Sequence, residues 1–215
     1  MAEHLEAKTN CEISFISNPE DLNLDYLLVL QPRFVFFPHW SHRIDTAIHR
    51  QFECVVFHMT DLPFGRGGSP LQNLIARGIQ ETQVSALQCV EEMDAGPIYL
   101  KRPLSLHGAA EEIYLRASVI VEDMIVEMLG QRPEPLPQQG TPTLFKRRKP
   151  EQSNLEVALT LDQAFDLIRM LDAEGYPHAF LNVGPFLLEF TRASRKTDHV
   201  IADVRISLSH DRAKV

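Results

Sequence analysis

The stretch Phe57-His58-Met59-Thr60-Asp61-Leu62-Pro63-Phe64-Gly65-Arg66-Gly67-Gly68-Ser69-Pro70, read together with Met93-Asp94-Ala95-Gly96-Pro97, decides the reading of this chain. A histidine leaves the end of an apolar run and enters a loop holding three glycines and two prolines. An aspartate follows later, just after a second run of strand character. Working outward, Phe34-Val35-Phe36-Phe37 is wholly apolar and ends at Pro38, as expected of a strand buried on both faces. Glu53 to Phe57 and Gln83 to Val90 read as further strands, and Glu12 to Ser17 alternates polar and apolar as another. Helical spacing recurs over Leu22 to Leu30, Ile44 to Arg50, Pro70 to Arg77 and, longest of all, Ala109 to Leu129, where Ile113, Ile120, Met124, Ile125 and Met128 form a stripe. Ile98 to Leu106 reads as a strand.

The alternating βα order predicts an α/β fold, an open and mostly parallel sheet with flanking helices. Ligands in such sheets bind beyond the carboxyl ends of the strands. His39, His58 and Asp94 each follow a predicted strand at that kind of edge, which makes them candidates for acid/base chemistry. Composition changes at residue 131, where a proline-rich connector begins. The expected organisation is a core over 1–130, a connector over 131–145 and a small α+β subdomain over 146–215. The last part opens with the basic run Lys146-Arg147-Arg148-Lys149 and carries a helix from Leu161 to Asp172. Two strands, Phe186 to Phe190 and Val200 to Ile206, follow.

The 215 residues are 44% apolar and 23% charged, ordinary for a globular chain that can bury a sizeable core. A formal charge of −8 argues against a general nucleic-acid surface. No apolar run approaches the ~18 residues of a membrane span, and the polar N-terminus lacks a signal-peptide core. Cys11, Cys54 and Cys89 are far apart and odd in number, which supports neither a metal site nor a disulfide framework. Reduced thiols in a cytoplasmic protein are the expectation.

At His58 and Asp94 the chain resembles the folate-dependent formyltransferases, whose members act on glycinamide ribonucleotide, methionyl-tRNA or nucleotide-linked sugars. Their N-x-H-x-S-L-L-P-x-x-x-G loop is matched from His58 onward, Ser69-Pro70-Leu71-Gln72 looks like the following helix start, and Met93 to Pro97 looks like the aspartate turn. Past the connector, Arg147 to Ser153 resembles the K-R-x-P-E-D-S segment of the sugar-modifying members. Ile168-Arg169-Met170-Leu171 and Tyr176-Pro177-His178-Ala179-Phe180 resemble another of their stretches.

The resemblance implies a Rossmann-like core shortened at its N-terminus and N10-formyltetrahydrofolate as formyl donor. It further implies a nucleotide-linked amino sugar as acceptor, without nucleic-acid or membrane partners, and homodimerisation as one option. It assigns His58 to acid/base work and oxyanion contact, with Asp94 orienting it. Phe37, Pro38, His39, Trp40, Leu62, Pro63, Met93, Ala95 and Gly96 would meet the folate, and Arg66, Gly67 and Tyr176 the acceptor. One position departs: the family's catalytic asparagine, two places before the histidine, is Val56, whose side chain has no hydrogen-bonding group. His39, Ser41, Thr60, Asn73 or loop backbone amides are the donors that could replace it. Hydrolysis of the formyl donor, or binding without catalysis, are the alternative readings.

Overall fold

The computed structural model describes residues 2–209, the side chains of residues 2 and 3 excepted. Contacts divide the chain into two compact units, each assembled from separate stretches. The first comprises residues up to 67, 82–104 and 116–144; the second comprises 68–81, 105–115 and those from 145 onward.

The first unit opens with helix α1 (Ala2–Thr9), followed by α2 (Leu24–Leu30), strand β1 (Val35–Phe37), α3 (Thr46–Gln51) and β2 (Cys54–His58). Short polar side chains start the helices: Asn23 accepts from Tyr26 N–H, and Asp45 accepts from Ala47 N–H, each satisfying a donor the helix leaves unpaired. β3 (Phe64–Gly67), β4 (Glu81–Gln88) and β5 (Ile98–Ser105) come next. The main sheet has the order β1-β2-β4-β5, in which β1 and β2 run parallel and β2 and β4 antiparallel. An α/β sheet with flanking helices therefore stands. The parallel pairing expected from the βα alternation is found at β1–β2, and β4 returns against it. Leu27, Phe37, Ile44, Ile48 and Cys54 form a buried cluster on one side of this sheet, with Val56, Trp40 and Cys89 packed against it.

Glu12 to Ser17, expected as a strand, joins no ladder among the described residues and is irregular backbone, its Ile13 N–H donating to the Glu6 carboxylate at 3.0 Å. Its alternation provides one apolar face, but a strand also needs a neighbour to complete its hydrogen bonds.

The second unit holds α4 (Pro70–Ile75), α6 (Leu161–Arg169), β7 (Ala179–Val183), β8 (Phe186–Arg195) and β9 (Val200–Leu208). The long helix α5 (Ala110–Gln131) has its first residues, 110–115, in the second unit and the remainder in the first. Its buried positions Ile113, Ala117, Val121, Met124, Ile125 and Met128 recur every three or four residues, as the stripe requires. β6 (Thr143–Phe145) pairs with β3. The three C-terminal strands form an antiparallel sheet in sequence order, with α6 packed against β8 and β9 and Leu167, Ile168, Phe180 and Leu187 buried. Thr160 caps α6 by accepting from Gln163 N–H at 3.1 Å. No helix among the described residues is long and apolar enough to cross a membrane.

Candidate functional site

β2 ends on His58, and the register of its ladder with β4 sets His58 opposite Ser85. Cys54, Val56 and His58 share one face of β2, because side chains alternate along a strand. The first two pack in the apolar cluster and the third reaches the strand's carboxyl end. Ser85 donates its hydroxyl to the Thr60 carbonyl at 2.8 Å, which fastens the chain leaving His58 to β4. Lys101 fastens it again, donating to the Asp61 carboxylate at 2.5 Å and to the Leu62 carbonyl at 2.6 Å.

The loop then folds back over the histidine. His58 Nε2 lies 2.8 Å from the Gly65 carbonyl oxygen. A carbonyl can only accept, so Nε2 carries the hydrogen and the lone pair of the neutral ring is on Nδ1. That nitrogen faces Asp94 Oδ2 at 3.6 Å, beyond hydrogen-bond length but close enough for a charged pair. The same Asp94 oxygen accepts from Gly67 N–H at 2.8 Å. Gly65 and Gly67 have φ of +82° and +106°, conformations that glycine adopts without steric cost. His58 is buried and only 15% of the Asp94 side chain is exposed, so the two groups interact with little screening by water.

A proton arriving at Nδ1 would find a carboxylate beside it while Nε2–H keeps its carbonyl. Both ends of an imidazolium are provided for. The arrangement is that of a base backed by a carboxylate, with the carboxylate itself held by a loop amide.

Asp94 has φ of +55°, the left-handed region in which aspartate and asparagine are among the few side-chain-bearing residues tolerated. Gly96 is buried against β4, and a Cβ on it would lie 1.8 Å from the Gln88 carbonyl oxygen. Ala95 N–H donates to the Glu92 carbonyl at 3.2 Å and closes the turn. Met93, beside the aspartate, is 71% exposed.

The other residues singled out in the sequence differ in burial and partners. Phe37 and Leu62 are buried side chains, 4% and 1% exposed, which leaves only their backbone to a ligand. Pro38 and His39 form a turn beyond β1, with His39 at the surface and its pKa lowered by the protein mass beside it. Trp40 packs edge-on to Phe37 at 5.5 Å and to His42 at 5.7 Å, and its buried indole N–H has no acceptor among the described residues. Pro63 is partly buried and accepts from Thr143 N–H at 3.1 Å. Arg66 is tied inside the protein, donating to Gln138 and Glu92, with 11% of its side chain exposed. Tyr176 belongs to the second unit, where it stacks on Tyr114 and receives that residue's hydroxyl hydrogen at 2.8 Å. Burial and this contact push the Tyr114 hydroxyl pKa well up.

Among the donors that could stand in for an asparagine at position 56, Thr60 is fully buried and lies 3.4 Å from the Gly65 carbonyl. Asn73 spends its amide on the carbonyls of Gly68, Ser69 and Lys146. Ser41 is exposed. Cys54 lies beside Cys89, and burial, with Cys89 second, pushes its thiol up to about 12; burial and the Asp94 carboxylate push Cys89 up as well. Both therefore stay protonated thiols at neutral pH, behind the site rather than in its chemistry.

Gln138 is a residue that sequence reading passes over. It bonds both the Asp94 turn and Arg66, yet a glutamine in a proline-rich connector gives no sign of either partner.

The chain is similar in sequence and fold to known proteins. Residues 150–207 match the family model of the methionyl-tRNA formyltransferase C-terminal domain. A solved structure described as methionyl-tRNA formyltransferase from Clostridium thermocellum is 48% identical and superposes with a TM-score of 0.93, over 97% of this chain and 93% of that one. The curated methionyl-tRNA formyltransferase of Lactobacillus gasseri is 25% identical over 165 residues, 73% of this chain and 52% of its own. The chain thus spans about half the length of that curated relative. A sugar N-formyltransferase from a Shewanella species has the same fold, at a TM-score of 0.68 and 14% identity over 91% of this chain and 93% of its own. On the match to the Clostridium structure, nearly end to end in both chains, this chain belongs to the folate-dependent formyltransferase family.

Proposed function

We propose that the protein transfers a formyl group from N10-formyltetrahydrofolate to an amine, and that the amine belongs to a nucleotide-linked amino sugar. The observation that carries the transfer chemistry is His58 Nδ1 facing an Asp94 carboxylate that Gly67 N–H holds in place. N10-formyltetrahydrofolate is the family's donor and supplies a formyl carbon open to attack by a neutral amine. Residues of this chain fit it. The Trp40 indole N–H is a buried donor in need of an acceptor; Met93, beside Asp94, is exposed, and the Pro38–His39 turn follows β1. An unmet buried donor costs about 1–3 kcal/mol, which an acceptor on a bound pterin would recover.

His58 takes the proton that the attacking amine must lose, at Nδ1, and Asp94 stabilises the imidazolium so formed. His58 then returns the proton to the departing nitrogen. Val56 lies in the apolar cluster and contributes no donor, so oxyanion contact falls to groups of the loop and of the residues after β1.

Support for the sugar comes from the resemblance at Arg147 to Ser153, Ile168 to Leu171 and Tyr176 to Phe180, and from the charge of −8. The basic run is also less of a phosphate-binding surface than its sequence suggests. Arg148 is partly buried and donates to the Gln152 carbonyl at 2.6 Å, and burial lowers its pKa. A second reading, formylation of methionyl-tRNA, is favoured by the names of the Clostridium and Lactobacillus relatives and by the match at 150–207.

One assay separates them. N10-formyltetrahydrofolate is incubated with amino-sugar nucleotides, with methionyl-tRNA, or with neither, and free tetrahydrofolate is measured. Release with a sugar nucleotide is expected. Release only with the tRNA selects the second reading, release with no acceptor makes the protein a hydrolase, and folate binding without release makes it a non-catalytic relative.

A further inference from the structure

We infer that Gln138, supplied by the connector between α5 and β6, is the positioning residue that holds the Asp94 turn against the loop over His58. Its relevance to turnover rests on the function proposed above; the positioning itself does not.

Its side-chain amide uses its full hydrogen-bonding capacity. Nε2 donates to the carbonyls of Asp94 and Gly96, each at 2.8 Å. Oε1 accepts from Arg66 Nε at 3.1 Å and Nη2 at 2.9 Å, and Arg66 Nη1 continues to Glu92 at 3.1 Å. Two donors and two acceptor sites are all an amide offers. One side chain therefore joins the two pieces of backbone on which the acid/base pair depends. Arg66 sits between Gly65, whose carbonyl holds His58 Nε2, and Gly67, whose N–H holds Asp94. On the other side Gln138 clasps the carbonyl of Asp94 itself.

The clasp has work to do because the turn is strained. Asp94 is left-handed, and Gly96 is wedged against the Gln88 carbonyl, so the turn cannot relax by shifting toward β4. The 3.6 Å between His58 Nδ1 and Asp94 depends on the turn and the loop keeping their places. The guanidinium of Arg66 acts in this arrangement as a strut rather than as a hand offered to substrate phosphates.

The test uses the full chain with Gln138→Ala, Gln138→Met and Gln138→Glu. The tautomer of His58 is read from its ring ¹⁵N shifts without any substrate, and kcat and KM are measured alongside. Met fills the volume of the glutamine and guards against failure to fold. Glu keeps the acceptor for Arg66 but sets a carboxylate oxygen against two carbonyls. All three variants are expected to lose the uniform Nε2–H signature. kcat should fall roughly 10- to 100-fold, the range seen when groups that orient a site from behind are removed, with KM for the donor changed much less. A wild-type tautomer and kcat in the Met and Glu variants would overturn the inference. A changed tautomer in a protein whose wild type transfers no formyl group would leave the clasp standing and discard the function.

Discussion

His58→Ala is expected to lower turnover by about 100- to 10,000-fold, the usual contribution of a general acid/base. Donor binding should change only a few-fold. The expectation follows from where the ring is held. Nε2–H is committed to the Gly65 carbonyl, so under the proposed mechanism the proton of the attacking amine enters at Nδ1, beside Asp94. An alanine leaves Asp94 in place but removes the base. Unfolding should remain cooperative, because Ser85 and Lys101 fasten the loop independently of the ring. Rapid-quench measurement of formyl transfer, with folate binding followed by fluorescence, separates the two effects. Loss of binding equal to the loss of rate would make His58 a binding residue instead of a base.

Gly96→Ala is expected to disable the site as thoroughly by another route. The new methyl carbon would stand 1.8 Å from the Gln88 carbonyl oxygen and 2.9 Å from its carbon. These are backbone atoms of a strand end fixed by Gln88 N–H donating to the Pro97 carbonyl at 2.9 Å, so no side chain can swing aside. The turn must move, taking the Asp94 carboxylate from His58 and the Gly96 carbonyl from Gln138. Overpacking of this kind costs about 1–3 kcal/mol, and this contact belongs at the upper end because both partners are backbone. Urea unfolding should show a lower midpoint at an unchanged slope, with transfer activity near that of His58→Ala. Wild-type stability and rate would mean that the turn is more pliable than its packing indicates.

His58 was legible as the end of a strand. Asp94 was not legible as its neighbour, because β4 runs antiparallel to β2 and its carboxyl end lies opposite the start of β2. Only the segment folding back after β4 brings the aspartate to the histidine. The burial of Phe37 was legible in the four-residue apolar run, and that burial is what withdraws its side chain from a ligand. β3 was not legible: Phe64 to Gly67 reads as loop chemistry, with two glycines in four residues, and becomes a strand only because β6 pairs with it. β6 is three residues long, too short for alternation to register. β7 begins in the last two residues of the Tyr176–Phe180 stretch, singled out for its resemblance rather than its pattern, and α1 lies in a segment read only as polar. Gln138 was hidden for a deeper reason. Its place depends on three partners, Arg66, Asp94 and Gly96, and neither periodicity nor composition records a long-range polar contact.

The central claim is that the His58–Asp94 edge moves a formyl group from folate to an amine. Single-turnover reaction of donor carrying a ¹³C-formyl group, with amino-sugar nucleotides present, tests it most directly. Wild type should place the label in an N-formyl product at a rate that Asp94→Asn sharply reduces. Asparagine tolerates the same left-handed backbone, so this substitution removes the charge and keeps the turn. Label that appears only as free formate, or transfer that proceeds equally in wild type and Asp94→Asn, would contradict the account.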